Sequence, residues 1–235
     1  MKQIIIYVCA LFASLTFFSC SQDEEIYSCD KGINDWVKEN LIDIQQMDRN
    51  DWLQLDEKYK TGAFIAFEPK QKQEFWLQKI QEVLTFDWNE TEKEHLELLY
   101  QIILDNPIWF SKDRTEKEYE EYDLFQYEWI EYAQEQLGWS MQLIGAITAT
   151  GNKMLNMEGE LQFNTYSAIR LKDDSELPNC DCNQMSNFCP NQKPYCNNSS
   201  YKDKTGKKIE ICKEKLIGCG FGLIGPCNGL CTATS

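Results

Sequence analysis

The chain has 235 residues, 11 cysteines and a formal net charge of −15. That length holds one or two domains, and the acidity weighs against nucleic acid as a partner, because a polyanion requires a basic surface. The charge is uneven: residues 21–178 carry 34 Asp and Glu against 15 Lys and Arg, a net of −19, while residues 179–235 carry 4 against 7, a net of +3. An acidic body therefore precedes a mildly basic tail. Solvation of helix faces is the ordinary use of such acid, and opposite charge also gives body and tail a reason to associate.

Lys2 is followed by an apolar run from Ile4 to Phe18. A positive start, a short apolar core and a small residue before a cut are the pattern of a secretory signal, here residues 1–19. The run is shorter than the roughly 20 residues that span a bilayer. It closes on Phe17-Phe18-Ser19-Cys20, which resembles a bacterial lipobox. The resemblance implies that Cys20 takes a diacylglycerol thioether and becomes the new N-terminus, with acyl chains giving membrane attachment. The acidic cluster Ser21-Gln22-Asp23-Glu24-Glu25 resembles a surface-export signal. Residues 20–31 are thus expected to be a lipidated acidic tether, and the expected location is the outer membrane, lipid-anchored and facing the cell surface. Cys29 is left as an unpaired exported cysteine.

Residues 32–171 are expected to form a helical domain. Trp36, Val37, Asn40, Leu41 and Ile44 give a first amphipathic stretch, and Trp52, Leu55, Tyr59, Phe64, Ile65 and Phe67 a second. Pro69 suits a first helical residue; behind it Phe75, Trp76, Lys79, Ile80, Val83 and Leu84 repeat at three and four. Thr91 and Glu94 read as a capping box for a helix carrying Leu96, Leu98, Leu99, Ile102 and Ile103, stopped by Pro107. A long helix after Thr115 would bury Tyr122, Phe125, Trp129, Tyr132, Ala133, Leu137, Met141 and Ile144. Glu116, Glu118, Glu120 and Glu121 suit its exposed, dipole-complemented start. The alternation Leu161, Phe163, Thr165 allows one or two strands. His95, the single histidine, has no visible partner and is expected on a helix surface rather than as a general base. There is no Ser/His/Asp set, no HExxH and no glycine-rich phosphate loop, so no enzymatic activity, cofactor or metal is expected.

Asp173-Asp174-Ser175-Glu176-Leu177-Pro178 reads as the end of a linker, residues 172–178. The cysteine-rich domain, residues 179–235, holds Cys180, Cys182, Cys189, Cys196, Cys212, Cys219, Cys227 and Cys231. A segment this short, without a long apolar run, requires cross-links or a metal to fold. The spacings lack the paired C-x2-C of zinc knuckles, and an exported segment sits where thiols oxidise, so four disulfides are expected. Cys180 and Cys182 are too close in sequence to bridge each other easily. Gly218-Cys219-Gly220, Gly222, Gly225-Pro226 and Asn228-Gly229 supply reverse turns between short strands.

Asn179-Cys180-Asp181-Cys182-Asn183, the run Ser186-Asn187-Phe188-Cys189-Pro190, Gly218-Cys219-Gly220 and Cys227-Asn228-Gly229 together resemble the bacteriocin fulvocin C-related family. In the body, Tyr59-Lys60-Thr61-Gly62-Ala63-Phe64 and the stretch from Pro69 through Trp76 to Lys79 resemble that family's helical region. The resemblance implies an exported protein with a stapled C-terminal domain. The expected fold class is mainly α, a helical N-terminal body plus a small disulfide-rich C-terminal domain of short strands and turns. The expected function is a surface-displayed lipoprotein whose four-disulfide tail is a binding or structural module for an unknown surface partner. The alternative is a bacteriocin-like antagonist whose basic tail acts on other cells; oligomeric state stays open in both.

Overall fold

The computed structural model describes residues 25–28, 30–162, 180, 182, 195–198, 200–202, 205, 208–210, 215–227 and 229–232. The signal, Cys20, Cys29, the strand positions Phe163 and Thr165, the linker 172–178, Cys189 and Cys212 lie outside the described residues. The protein is a mainly helical body followed by short strands and turns.

The helices among the described residues are α1 (Lys31–Glu39), α2 (Leu41–Ile44), α3 (Arg49–Gln54), α4 (Glu57–Ala66), α5 (Pro69–Val83), α6 (Glu90–Asp105), α7 (Glu116–Glu135) and α8 (Met141–Thr148), with a 3-10 turn at Pro107–Phe110. Their starts follow local chemistry. Asp48, Asn89 and Thr115 each cap the N–H three residues on and receive a side chain in return, so two orphan donors are satisfied at each start. Pro69 is the first residue of α5. The start of α6 differs from expectation: the box is Asn89 with Glu92, at 3.0 Å in both directions, which leaves Thr91 and Glu94 within the helix. Asparagine caps at least as well as threonine, and it comes first in the chain. The long helix expected after Thr115 is two. It stops at Gln136, Gly138 adopts φ +69, and Ser140 caps α8 through the Leu143 N–H.

α5 is the central element, packed against α3, α6, the 3-10 turn and α8. Its buried stripe is Lys72, Phe75, Trp76, Lys79, Ile80 and Val83. Phe75 meets Trp52, Phe64, Phe67 and Trp76 at 5.0–5.9 Å, mostly edge to face. Residues 149–154 cross over this cluster; a Cβ on Gly151 would run into the Phe75 and Trp52 rings, so only glycine allows the approach. An isolated antiparallel bridge joins Met154 to Leu161. In the tail, β1 (Tyr195–Asn198) pairs antiparallel with β6 (Gly229–Thr232), β2 (Ser200–Lys202) with β3 (Lys208–Glu210), and β4 (Lys215–Cys219) with β5 (Gly225–Cys227).

Two lysines within an apolar stripe need acceptors. Lys72 Nζ donates to the Ile65 carbonyl at 3.1 Å, near the C-terminal end of α4, where a cation complements the helix dipole. Lys79 Nζ donates to the Asn152 carbonyl at 2.6 Å. Burial pushes Lys72 down to about 8, and burial with the neighbouring Arg49 pushes Lys79 down to about 7. Both values lie below the ordinary 10.5. From about 7 up to 10.5 the unfolded chain therefore holds more protons, and the contribution of these two groups to stability rises with pH. Lys79→Met keeps the aliphatic volume and removes one of the two. The rise in unfolding free energy measured with urea from about pH 7 to about pH 9 is expected to shrink, by at most about 1.4 kcal/mol per pH unit for one group.

Candidate functional site

β4 and β5 form a hairpin closed by the Cys219–Cys227 disulfide. At its tip Phe221–Leu223 makes a tight turn kinked at Gly222, whose backbone is not helical. Gly220, Gly222 and Leu223 all adopt positive φ, at +73°, +63° and +54°. Glycine takes these angles freely, whereas leucine there is strained by roughly 1–2 kcal/mol. Closing the hairpin with a disulfide holds such a turn by limiting what the chain can do when it is loose.

The turn is inserted into the helical body. Phe221 and Ile224 are 4% and 8% exposed and join the body's own hydrophobic core. The Phe221 ring lies 5.8 Å from Trp129, 6.2 Å from Tyr122 and 6.3 Å from Phe125, edge to face with each. The Tyr122 hydroxyl donates to the Phe221 carbonyl at 2.5 Å in a buried position. Burial raises the Tyr122 pKa above the ordinary tyrosine value, so the phenol stays a donor. β4 also lies against α4, and the tip against α8. The gap left at this seam is apolar and too small for a ligand, with room for about one water; Trp76 Nε1, on its wall, has no hydrogen-bond partner among the described residues.

Among the described residues Cys219 is bonded to Cys227, and Cys180 and Cys182 are each disulfide-bonded and at most 1% exposed. Cys182 pairs its backbone with Gly229 at 3.1 and 3.0 Å. Cys196 and Cys231 face each other as register partners in β1 and β6.

His95 is buried rather than on a surface. Its ring stacks on Trp129 at 4.4 Å and meets Tyr132 at 4.9 Å and Trp139 at 5.7 Å. His95 Nε2 lies 3.1 Å from the Trp129 carbonyl, and Trp129 Nε1 donates back to the His95 carbonyl at 3.2 Å. Burial pushes it down to about 4, which keeps the imidazole neutral as a stacking partner. Tyr132, expected inside, is 42% exposed; it lies over one edge of this stack.

A buried polar cluster escaped the reading of the sequence. It joins Arg49, Glu57, Lys60, Lys79, Glu82 and Asn152. Arg49 pairs with Glu82 at 2.9 Å and donates from Nε to the Gly151 carbonyl at 3.0 Å. Lys60 Nζ pairs with Glu57 at 2.5 Å and donates to Asn152 Oδ1 at 2.8 Å. Asn152 Nδ2 donates to Glu57 Oε2 at 3.3 Å, and the Met154 N–H to Glu82 Oε1 at 3.2 Å. These groups pin residues 151–154 to α3, α4 and α5. The one sequence signal was Lys79 lying within an apolar stripe; its partners are too far along the chain to be seen.

Compared with known proteins, the chain matches no family model, no curated protein and no solved structure.

The inserted turn gives two measurable expectations. Phe221→Ala should cost about 3–5 kcal/mol, as for a buried aromatic whose site cannot collapse fully. Tyr122→Phe removes only the hydroxyl and strands a buried carbonyl, which costs about 1–3 kcal/mol. Chemical unfolding of both variants, oxidised, reads these losses; no change in either would mean that the turn is not seated in the body.

Proposed function

We propose that the protein is an exported bacterial lipoprotein, held in the outer membrane through Cys20 and facing the cell surface. Its cysteine-stapled tail serves as a structural and binding module, not a detachable weapon. One observation carries this reading: the disulfide-closed turn at Phe221–Leu223 is built into the core of the helical body. Disulfides at Cys180, Cys182, Cys219 and Cys227 suit an oxidising compartment outside the cytoplasm. The signal-like run ending at Ser19 and the lipobox-like Cys20 supply the route there. The likeness to the fulvocin C-related family agrees with an exported, stapled tail and does not assign it a killing activity.

The bacteriocin-like alternative requires the tail to leave the body and reach another cell. Departure would expose Phe221 and Ile224 together with Tyr122 and Trp129, so the apolar seam opposes it. Among the described residues no helix is long and apolar enough to cross a membrane.

Cys20→Ala expressed in a Gram-negative host tests the anchor. The natural chain should fractionate with membranes and be digested by protease added to intact cells. The Cys20→Ala chain should appear in the soluble fraction. Membrane retention of the variant would contradict lipid anchoring, and protection of the natural chain from added protease would contradict outward display. Growth of related bacteria should be unaffected by the oxidised full chain; inhibition that disappears on reduction would favour the antagonist.

A further inference from the structure

We infer that Lys60 and Asn152 form an intramolecular isopeptide bond, with Glu57 as the proton carrier. The three side chains already stand as a closed ring of hydrogen bonds. Lys60 Nζ reaches Asn152 Oδ1 at 2.8 Å and Glu57 Oε1 at 2.5 Å, and Asn152 Nδ2 reaches Glu57 Oε2 at 3.3 Å. An amine, a carboxamide and a carboxylate that touches both are the complete set of groups for amide exchange. The carboxylate can take a proton from the nucleophile and hand it to the leaving nitrogen.

The surroundings favour the reaction. The Lys60 side chain is 4% exposed, the Glu57 side chain 13%, and Asn152 is 3% exposed. In such a dry site the ammonium and the carboxylate are held in direct contact. Water, the competing nucleophile, is excluded. The Trp52 ring flanks the Lys60 ammonium at 4.9 Å, and Trp52 Nε1 donates to the Lys60 carbonyl at 2.8 Å, fixing the stem. Opposite, Lys79 holds the Asn152 carbonyl at 2.6 Å and Arg49 the Gly151 carbonyl at 3.0 Å, fixing the backbone that carries the amide. Reactants 92 residues apart in the chain are thus held in one place, and such fixed proximity makes the attack effectively unimolecular.

The step balances without any further reagent. Glu57 accepts a proton from the Lys60 ammonium, and the freed amine attacks Asn152 Cγ. The Nζ–Cγ bond forms, Glu57 returns the proton to Nδ2, the Cγ–Nδ2 bond breaks, and the second Nζ proton passes through Glu57 to the departing ammonia. Ammonium plus carboxamide become a secondary amide and an ammonium ion, with no change in oxidation state. The product is a covalent strap from α4 to residues 149–154, across the core that α5 organises. It is independent of the disulfides and so survives a reducing environment.

Peptide mapping of the full-length natural chain tests this directly. Trypsin does not cut after an acylated lysine. The expected product is a branched peptide joining Tyr59–Lys70 to Glu118–Lys153, lighter than the sum of its two arms by one ammonia. Neither arm contains cysteine, so no disulfide can imitate it. Cleavage after Lys60 with Glu118–Lys153 recovered unbranched would overturn the bond. Glu57→Gln keeps hydrogen-bonding capacity and loses the proton carrier; it should yield the unbranched peptides while keeping its helical circular dichroism. A branched peptide from Glu57→Gln would overturn the role given to Glu57. Lys60→Arg keeps the charge and should show a lower thermal midpoint than the natural chain, with no branched product.

Discussion

The insertion of Phe221 among Tyr122, Phe125 and Trp129 is the contact on which the relation of body to tail depends. Among the described residues of the tail, Phe221 is the largest buried side chain. The hydrogen bond from Tyr122 to the Phe221 carbonyl satisfies a backbone group that insertion would otherwise leave dry. Strain at Leu223 is held by the hairpin and its disulfide, so the staple and the aromatic socket act on the same turn. Among the described residues the seam is made by apolar packing and the buried hydrogen bond from Tyr122. The opposite net charges of body and tail add at longer range, where solvent and salt screen them.

The body is organised by a second constraint, the pinning of residues 149–154. Two carboxylates, two cations and the Lys79 amine gather at a backbone segment that only Gly151 allows so close to Phe75. Charges in such a place stabilise little in net terms and set where the segment lies. α8 leads directly into this segment, and α8 also meets the inserted turn of the tail. The pinned segment and the inserted turn therefore share one helix, and loosening either would disturb the packing of α8 against α5.

Most of the helical architecture was legible because its signals are local. Pro69 opens α5, Pro107 follows the end of α6, and the apolar spacing through Phe75, Trp76, Ile80 and Val83 marks the buried stripe. The errors are local as well: Asn89 outcompeted Thr91 for the cap, and Gly138 broke a pattern that apolar spacing alone would carry through to Ile144. What could not be read was long-range. His95 became a core residue because Trp129, Tyr132 and Trp139 come from another part of the chain. Lys60 and Asn152 gave no sign of each other for the same reason. In the tail the density of cysteine and turn residues announced disulfides and short strands, while nothing in Gly220-Phe221-Gly222-Leu223 announced an anchor.

The central claim is that the tail is part of the body's core and stays there without a covalent tether. It is tested by placing a specific protease site within residues 172–178, cutting the folded, oxidised chain, and measuring whether the fragments separate on size exclusion without denaturant. The two pieces should travel together at the size of the uncut chain and part only on unfolding. A tail fragment that elutes alone from the freshly cut protein would contradict the account and return the tail to the class of detachable peptides.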